Sequence, residues 1–190
     1  MNETISSILN RRSIRRYLPE QIRKEDLEQI VRAGLYAPSA RNKQPWHLTV
    51  VCGHELLTRL TAEVKSATLR MPDNHYAAMV QKEGYSVAFG APILVIVSGN
   101  SADAPMVRCD CSLVLGNIFL AAHSLGIGSC WVNQLGILSD EPGFRTVLES
   151  LNVPARNTVY GCAALGYPRG AHPAAPARRE NTVNYVTANQ

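Results

Sequence analysis

SLVLGNIFLAAHSLGIGSCWV, residues 112–132, runs for 21 residues without a formal charge, long enough to cross a bilayer. Its interior argues otherwise. Asn117, His123 and several Ser and Gly residues interrupt the apolar surface, and Gly126-Ile127-Gly128 breaks the pattern after position 125. The stretch reads as a buried core helix over 112–125 followed by a strand, "GSCWVN", and no membrane span is expected.

A helix that is apolar on most sides needs partners on most sides, and the flanking sequence supplies them. Upstream, "APILVIVSG" (91–99) is a continuous apolar run, the mark of a strand covered on both faces. Downstream, "NTVYGCAALGY" is another strand, and "HLTVVC" (47–52) a third. Helical spacing appears in "ETISSILN", in "RKEDLEQIVRAGLYAP" with Leu27, Ile30, Val31, Gly34 and Leu35 on one face, and in "HELLTRLTAEVKSATL". Ser139 is expected to cap a further helix opening on "DEP", with Phe144, Val147, Leu148 and Leu151 facing inward. Residues 70–86 read as an irregular, polar excursion. The tail "GAHPAAPARRENTVNYVTANQ" begins rich in Pro and Ala and ends in an alternating "NTVNYVT" suited to a strand added at a sheet edge. The fold class is α+β, a single domain over residues 1–190.

Composition agrees. Apolar residues make up 46 % of the 190 residues and charged ones 18 %, which excludes disorder. The net charge of +4 disappears if Arg11, Arg12, Arg15 and Arg16 are set aside, so the basicity is local. One anionic ligand suits such a cluster better than a nucleic-acid track, for which basic residues would spread along a face. Five scattered cysteines form no CxxC pair, so they read as reduced, mostly buried thiols of a cytoplasmic protein. The first ten residues lack the basic and apolar regions of a signal peptide.

The familiar catalytic signatures are missing. There is no GxGxxG after a strand, no GxxxxGK[ST], no GxSxG and no histidine pair at metal-ligand spacing. His123, inside the apolar helix, reads as a core histidine. An enzyme of this composition would leave its chemistry to a cofactor. Two stretches could hold one. "RRSIRRY" (11–17) packs four guanidiniums into six positions, donors that pair well with a phosphate monoester. "APSARNKQPWHL" (37–48) is a loop dense in amides and hydroxyls, closed by Trp46, which reads as a core-closing aromatic.

A helix, then R-R-S-x-R, then a helix running into A-P-S-A-x-N-x-Q-P-W, resembles the FMN-dependent nitroreductase family. The resemblance continues through "APILVIV", residues 111–132, "NTVYGCAALGYP" and "ARRENTV", and so covers nearly the whole chain. It implies a nitroreductase-like α+β fold, a central, mostly antiparallel sheet flanked by helices. It also implies a homodimer in which residues 168–190 wrap the partner subunit as an arm, with FMN in the interface.

Carried onto this sequence, the resemblance assigns Arg11, Arg12, Ser13 and Arg15 to the flavin, with Arg15 near its N1–C2=O edge as an electrostatic influence. Pro38, Ser39, Asn42 and Gln44 would come from the partner subunit. Backbone N–H groups of Asn133 and Gln134 would lie near N5, although many members carry Glu-Gly there. Arg178 and Arg179 would return to the phosphate, while Arg16 is left as a surface charge. No protein side chain is expected to be catalytic in the strict sense, and no metal is expected. The implied activity is hydride transfer from NADH or NADPH through flavin N5 to a small electrophile (a nitroaromatic, quinone or flavin), by a ping-pong mechanism. Trp131 and Tyr76 are candidates for the substrate side, and 70–86 is the natural lid. Two other readings stand beside this one: a flavoprotein of the same fold with a specialised substrate, such as a reductive dehalogenase, and a non-enzymatic anion- or nucleic-acid-binding module. Lys82 and Glu83 lie in the general region where a dehalogenase would hold a zwitterionic substrate, but their spacing does not match that role.

Overall fold

The fold is described from a computed structural model, which describes residues 2–71 and 76–188. Residues 72–75, part of the segment expected to form a lid, lie outside the described residues.

Four strands form one antiparallel sheet: β1 (Trp46–Cys52), β2 (Ile93–Gly99), β3 (Gly128–Val132) and β4 (Thr158–Gly166), in the order β1-β2-β4-β3. The uninterrupted apolar run in β2 follows from its central place. Leu94 and Ile96 enter one core, while Ile93, Val95 and Val97 enter another on the opposite face, as a period of two requires. Helices α3 (His54–Arg70) and α7 (Pro142–Ser150) pack in the first core through Leu57, Leu60, Val64, Phe144 and Leu148. Helices α2 (Lys24–Leu35) and α5 (Val107–Ser124) fill the second.

The stretch 112–132 is therefore a helix and a strand, and among the described residues no helix is long and apolar enough to cross a membrane. Helix α5 buries Val107, Cys111, Val114, Leu115, Ile118 and Ala122, positions three, four and seven apart. It stops where Gly126 takes φ +73°. Ile127 N–H then donates to Ala122 C=O at 2.8 Å, and Gly126 N–H to His123 C=O at 3.0 Å. This is the double-bonded glycine stop that satisfies a helix's last carbonyls. Gly34 of α2 lets the two helices approach, because a Cβ there would stand 2.8 Å from Ile118 Cγ1.

Two expectations need correction. The helix after Ser139 is capped by Glu141, whose carboxylate accepts from Phe144 N–H, with Pro142 in the first turn. Ser139 is buried, and its hydroxyl accepts from Val159 N–H at 2.9 Å. Residues 76–88 are no free excursion: α4 (Ala77–Val80) buries Val80 against α3, and Val87 and Ala88 are buried too. Within the single chain "NTVNYVT" pairs with no strand, and Tyr185 and Val186 lie 85 % and 94 % exposed.

Candidate functional site

Residues 11–18 run extended along the free edge of the sheet. Ile14 N–H donates to Ser129 C=O of β3 at 2.9 Å, and Leu18 N–H to Tyr167 C=O just past β4 at 2.9 Å. Ile14 and Tyr17 are buried and act as anchors. The Tyr17 hydroxyl donates to Ile14 C=O, and burial pushes its phenol far up, so it stays a donor. With those two side chains turned inward, the polar ones line open space. Ser13, Arg15 and Arg16 wall a cleft of about 440 Å³ together with Arg169 and Gly170. A second cleft, about 520 Å³, shares Arg15, Arg16 and Arg169 and adds Phe89, whose ring centroid lies 5.7 Å from the Arg15 guanidinium. Both volumes suit a cofactor.

Arg12 is half-buried. Its Nη1 donates to Leu9 C=O at the end of α1 (Glu3–Asn10) and to the Arg11 carbonyl. Its Nε is buried without a partner, as is Ser129 Oγ. Unpartnered buried donors beside a cleft are the signature of an absent acceptor. Arg11 sits over the Phe119 ring of α5, 5.9 Å from the centroid, and Phe119 meets Trp131 at 6.2 Å. Trp131, 37 % exposed, lines a further cleft of about 380 Å³ with Asn133, Arg108, Asp140 and Tyr160. From Ser129 to Asn133 the chain advances about 13 Å at strand rise, so the orphaned donors and the aromatic cleft lie along one line of β3. A phosphate-bearing, ring-bearing group fits these residues.

Of the residues assigned near N5, Asn133 is exposed on that cleft. The Gln134 side chain instead turns into the core, where its Nε2 donates to Thr68 Oγ1 at 2.9 Å, so only its backbone remains for a ligand.

The second predicted stretch is somewhere else. Pro38, Ser39, Asn42 and Gln44 precede β1, at the opposite edge of the sheet from β3. The loop is strained and self-bonded: Arg41, Asn42 and Gln44 have φ of +55°, +52° and +47°, where non-glycine residues are costly. Ser39 Oγ accepts from Gln44 N–H at 2.9 Å, and Gln44 Nε2 donates to Asn42 Oδ1 at 2.9 Å. Asp110, buried in the first turn of α5, fixes the loop by accepting from Ala40 N–H at 3.1 Å. Arg11 and Arg12, by contrast, neighbour Phe119 and His123 near the other end of α5. From Asp110 to His123 is about 20 Å at helical rise. Within one chain the two stretches sit toward opposite ends of α5 and opposite edges of the sheet.

Trp46 is half-buried against the α5 core, as expected. Arg178 and Arg179 are exposed on the arm and are not gathered with the other arginines in any of the clefts described. Arg16 is exposed, as a surface charge is, and it borders both large clefts. His123 is not a core histidine: it sits half-buried at the end of α5 beside His172, ring centroids 5.7 Å apart. Arg169 escaped sequence reasoning. Its one signal is its place as the first charge after β4, held by its N–H to Arg16 C=O at 2.9 Å.

An antiparallel sheet between two helical layers, with an arginine-rich edge opening on a cofactor-sized cleft, defines a ligand-binding α+β protein. Comparison with known proteins gives the family. The nitroreductase family pattern matches residues 8–167, and the chain belongs to the nitroreductase family. A nitroreductase with bound FMN from Bacteroides fragilis superposes with a TM-score of 0.93 at 41 % identity, covering 98 % of this chain and 100 % of that one. A protein of Archaeoglobus fulgidus, carrying the provisional name NADH dehydrogenase/NAD(P)H nitroreductase, is 36 % identical over 171 residues, 89 % of this chain and 87 % of its own. An FMN reductase [NAD(P)H] of Bacillus subtilis is 25 % identical, over 97 % of this chain and 74 % of its own.

Proposed function

We propose that the protein is an NAD(P)H-dependent FMN oxidoreductase that reduces small electrophilic acceptors, among them nitroaromatics, quinones or flavins. The observation that carries this reading is the arginine edge: Arg11, Arg12, Arg15, Arg16 and Arg169 around clefts in which Arg12 Nε and Ser129 Oγ await an acceptor. Each charge-assisted bond to a phosphate contributes roughly 1.5–3 kcal/mol when shielded.

When bound, FMN supplies the two-electron chemistry. The chain's part is to bind, orient and shield. The cleft beside Trp131 and Asn133 takes the ring end, and donor and acceptor enter it in turn. Arg15, which lines the neighbouring clefts, would supply a fixed cation that stabilises the reduced, negatively charged form of the flavin. The buried thiols offer no rival nucleophile, because burial, with Asp110 alongside, pushes Cys111 up to about 12, and burial raises Cys130 and Cys162 as well.

The working form is a homodimer. The separation of about 20 Å between the arginine edge and the 38–44 loop is bridged if each site takes the edge from one subunit and the loop from the other. Ile5, Ile8 and Leu9 of α1, Leu113 of α5, and Tyr185 and Val186 of the arm are exposed apolar side chains that such an interface would cover.

The visible spectrum of freshly purified protein, followed under anaerobic NADH and then NADPH, tests the reading. A flavin spectrum that bleaches and returns with a quinone or nitroaromatic is expected. A colourless protein that takes up no FMN would overturn it.

A further inference from the structure

The cleft beside Trp131 holds more than an aromatic ring needs. It measures about 380 Å³, and α5, β3, β4 and the short α6 (Gln134–Ile137) all contribute to its lining. Trp131 is a fixed apolar wall. It pairs with Ala163 across the ladder, and its indole lies over Gly161, where an added Cβ would stand 2.5 Å from Trp131 Cζ2 and 2.9 Å from Leu115 Cδ1. A side chain at 161 would push the indole away, so the glycine keeps a flat aromatic face on the cleft. Tyr160, half-buried, adds a second ring, and the Arg108 guanidinium stands 6.0 Å from its centroid, at the limit of a cation–π contact. Ser112 is already occupied as a donor, because its hydroxyl bonds Arg108 C=O at 2.8 Å one turn back on α5. Arg108 and Asp140 are exposed on the same cleft, and among the described residues neither belongs to an ion pair. The strongest donor left in the lining is therefore a guanidinium with no carboxylate of its own chain to hold it.

Resting on the reading above that the acceptor enters this cleft, we propose that Arg108 selects the acceptor by charge, and that the preferred acceptors are aromatic compounds carrying one carboxylate. The acceptor's ring is held in the aromatic part of the cleft, and its carboxylate pairs with the Arg108 guanidinium. A planar guanidinium meets a carboxylate through two parallel N–H···O bonds, a match that the point charge of a lysine does not reproduce. No internal ion pair has to be broken first. Asp140 supplies the other half of the selection: it disfavours a second negative charge on the same ligand. This cation is separate from the arginine edge. Arg11 stands over Phe119, and from Arg108 to Phe119 is about 16 Å at helical rise. The chemical step is that of the general reading. A nitro group takes two electrons and two protons to become a nitroso group and water, with NAD(P)H giving the hydride and solvent the second proton.

The test uses the full-length, flavin-loaded protein with para-nitrobenzoate, its neutral analogue para-nitrobenzamide and the dianion nitrophthalate. The readout is the ratio of kcat/KM for the benzoate to kcat/KM for the amide, which cancels any change common to both acceptors, in flavin binding or in hydride transfer. Wild type is expected to favour the benzoate by about tenfold, between the worth of an exposed and a shielded charged pair. R108M, which keeps the apolar stem, should bring the ratio close to unity, and R108K should recover only part of the preference. D140N should raise kcat/KM for nitrophthalate relative to the benzoate. A wild-type ratio at or below unity, or a ratio that R108M leaves unchanged, would overturn the role of Arg108, while reoxidation of the flavin by both acceptors would leave the oxidoreductase reading standing. A protein that holds no flavin, or whose reduced flavin neither acceptor reoxidises, would remove both.

Discussion

The chain carries two groups of arginines, and they are held in opposite ways. Arg11–Arg16 lie on a segment bonded to β3 and to the exit of β4 and pinned by the buried Ile14 and Tyr17. Arg178 and Arg179 lie on an arm without helix or strand, exposed along its length. One cluster is preorganised by its own subunit, while the other lacks the surface it would need. Preorganised donors lose little freedom on binding, whereas free ones must be ordered first. The two clusters therefore predict different responses to the same kind of damage.

Removing residues 171–190 should have the largest effect. Among the described residues, the arm's side-chain hydrogen bond from Thr182 Oγ1 to Arg179 C=O stays within the arm, so the sheet should survive its loss. The truncated chain is expected to sediment as a monomer, to keep its far-UV circular dichroism, and to bind FMN more than about a hundredfold more weakly. A truncated dimer with wild-type affinity would show that the arm has no part in the site.

Single arginines come next. R11A or R15A should weaken FMN by about ten- to a hundredfold, the loss of one shielded charge-assisted bond. R179A should cost less, by about three- to tenfold, because an exposed cation gives part of its interaction to solvent. Equal losses at Arg11 and Arg179 would mean that the arm is as firmly seated in the dimer as the edge strand. R15A carries a second readout: the flavin's two-electron potential should fall, and an unchanged potential would place Arg15 away from the ring.

The contrast also explains what the sequence made legible. Elements with strong period or punctuation were readable: β2 from its unbroken apolar run, α5 and its stop from Gly126, α2 and α3 from their inward stripes. The arginine edge and the 37–46 loop stood out because their residue types are unusual at that density. What failed was non-local. Ser139 looks like a cap in sequence, yet Val159 from β4 claims its hydroxyl. The side chain of Gln134 turns inward to Thr68 of α3, a contact that no local pattern announces. His172 and His123 are far apart in the chain and meet only because the arm turns at Gly170, φ +88°. The alternation of "NTVNYVT" suits a strand added at a sheet edge, and within one chain the arm pairs with none.

Asp110 separates the two halves of the site in a different way, by supporting the loop without touching the arginine edge. Its Oδ1 holds Ala40 N–H, and its Oδ2 is buried without a partner. D110A should leave the Ala40 donor unsatisfied and cost about 1–3 kcal/mol of stability, a fall of about 2–10 °C in Tm for a chain this size. D110N keeps an acceptor at the same position and should recover most of it. If D110A melts as the wild type does, the strained loop is held by its own Ser39 and Asn42 bonds alone.

The smallest effect concerns pH and the edge's own histidine. His123 is held below the usual imidazole range, so the unfolded chain binds its proton more readily than the folded one. Stability from this group is therefore complete above the unfolded value, about 6.5, and is lost as pH falls through it toward the folded one. For the flavin-free protein, Tm should drop by about one to two degrees more in wild type than in H123Q between pH about 7.5 and about 5.5. Parallel pH curves for wild type and H123Q would mean that His123 faces solvent and senses neither burial nor the guanidiniums beside it.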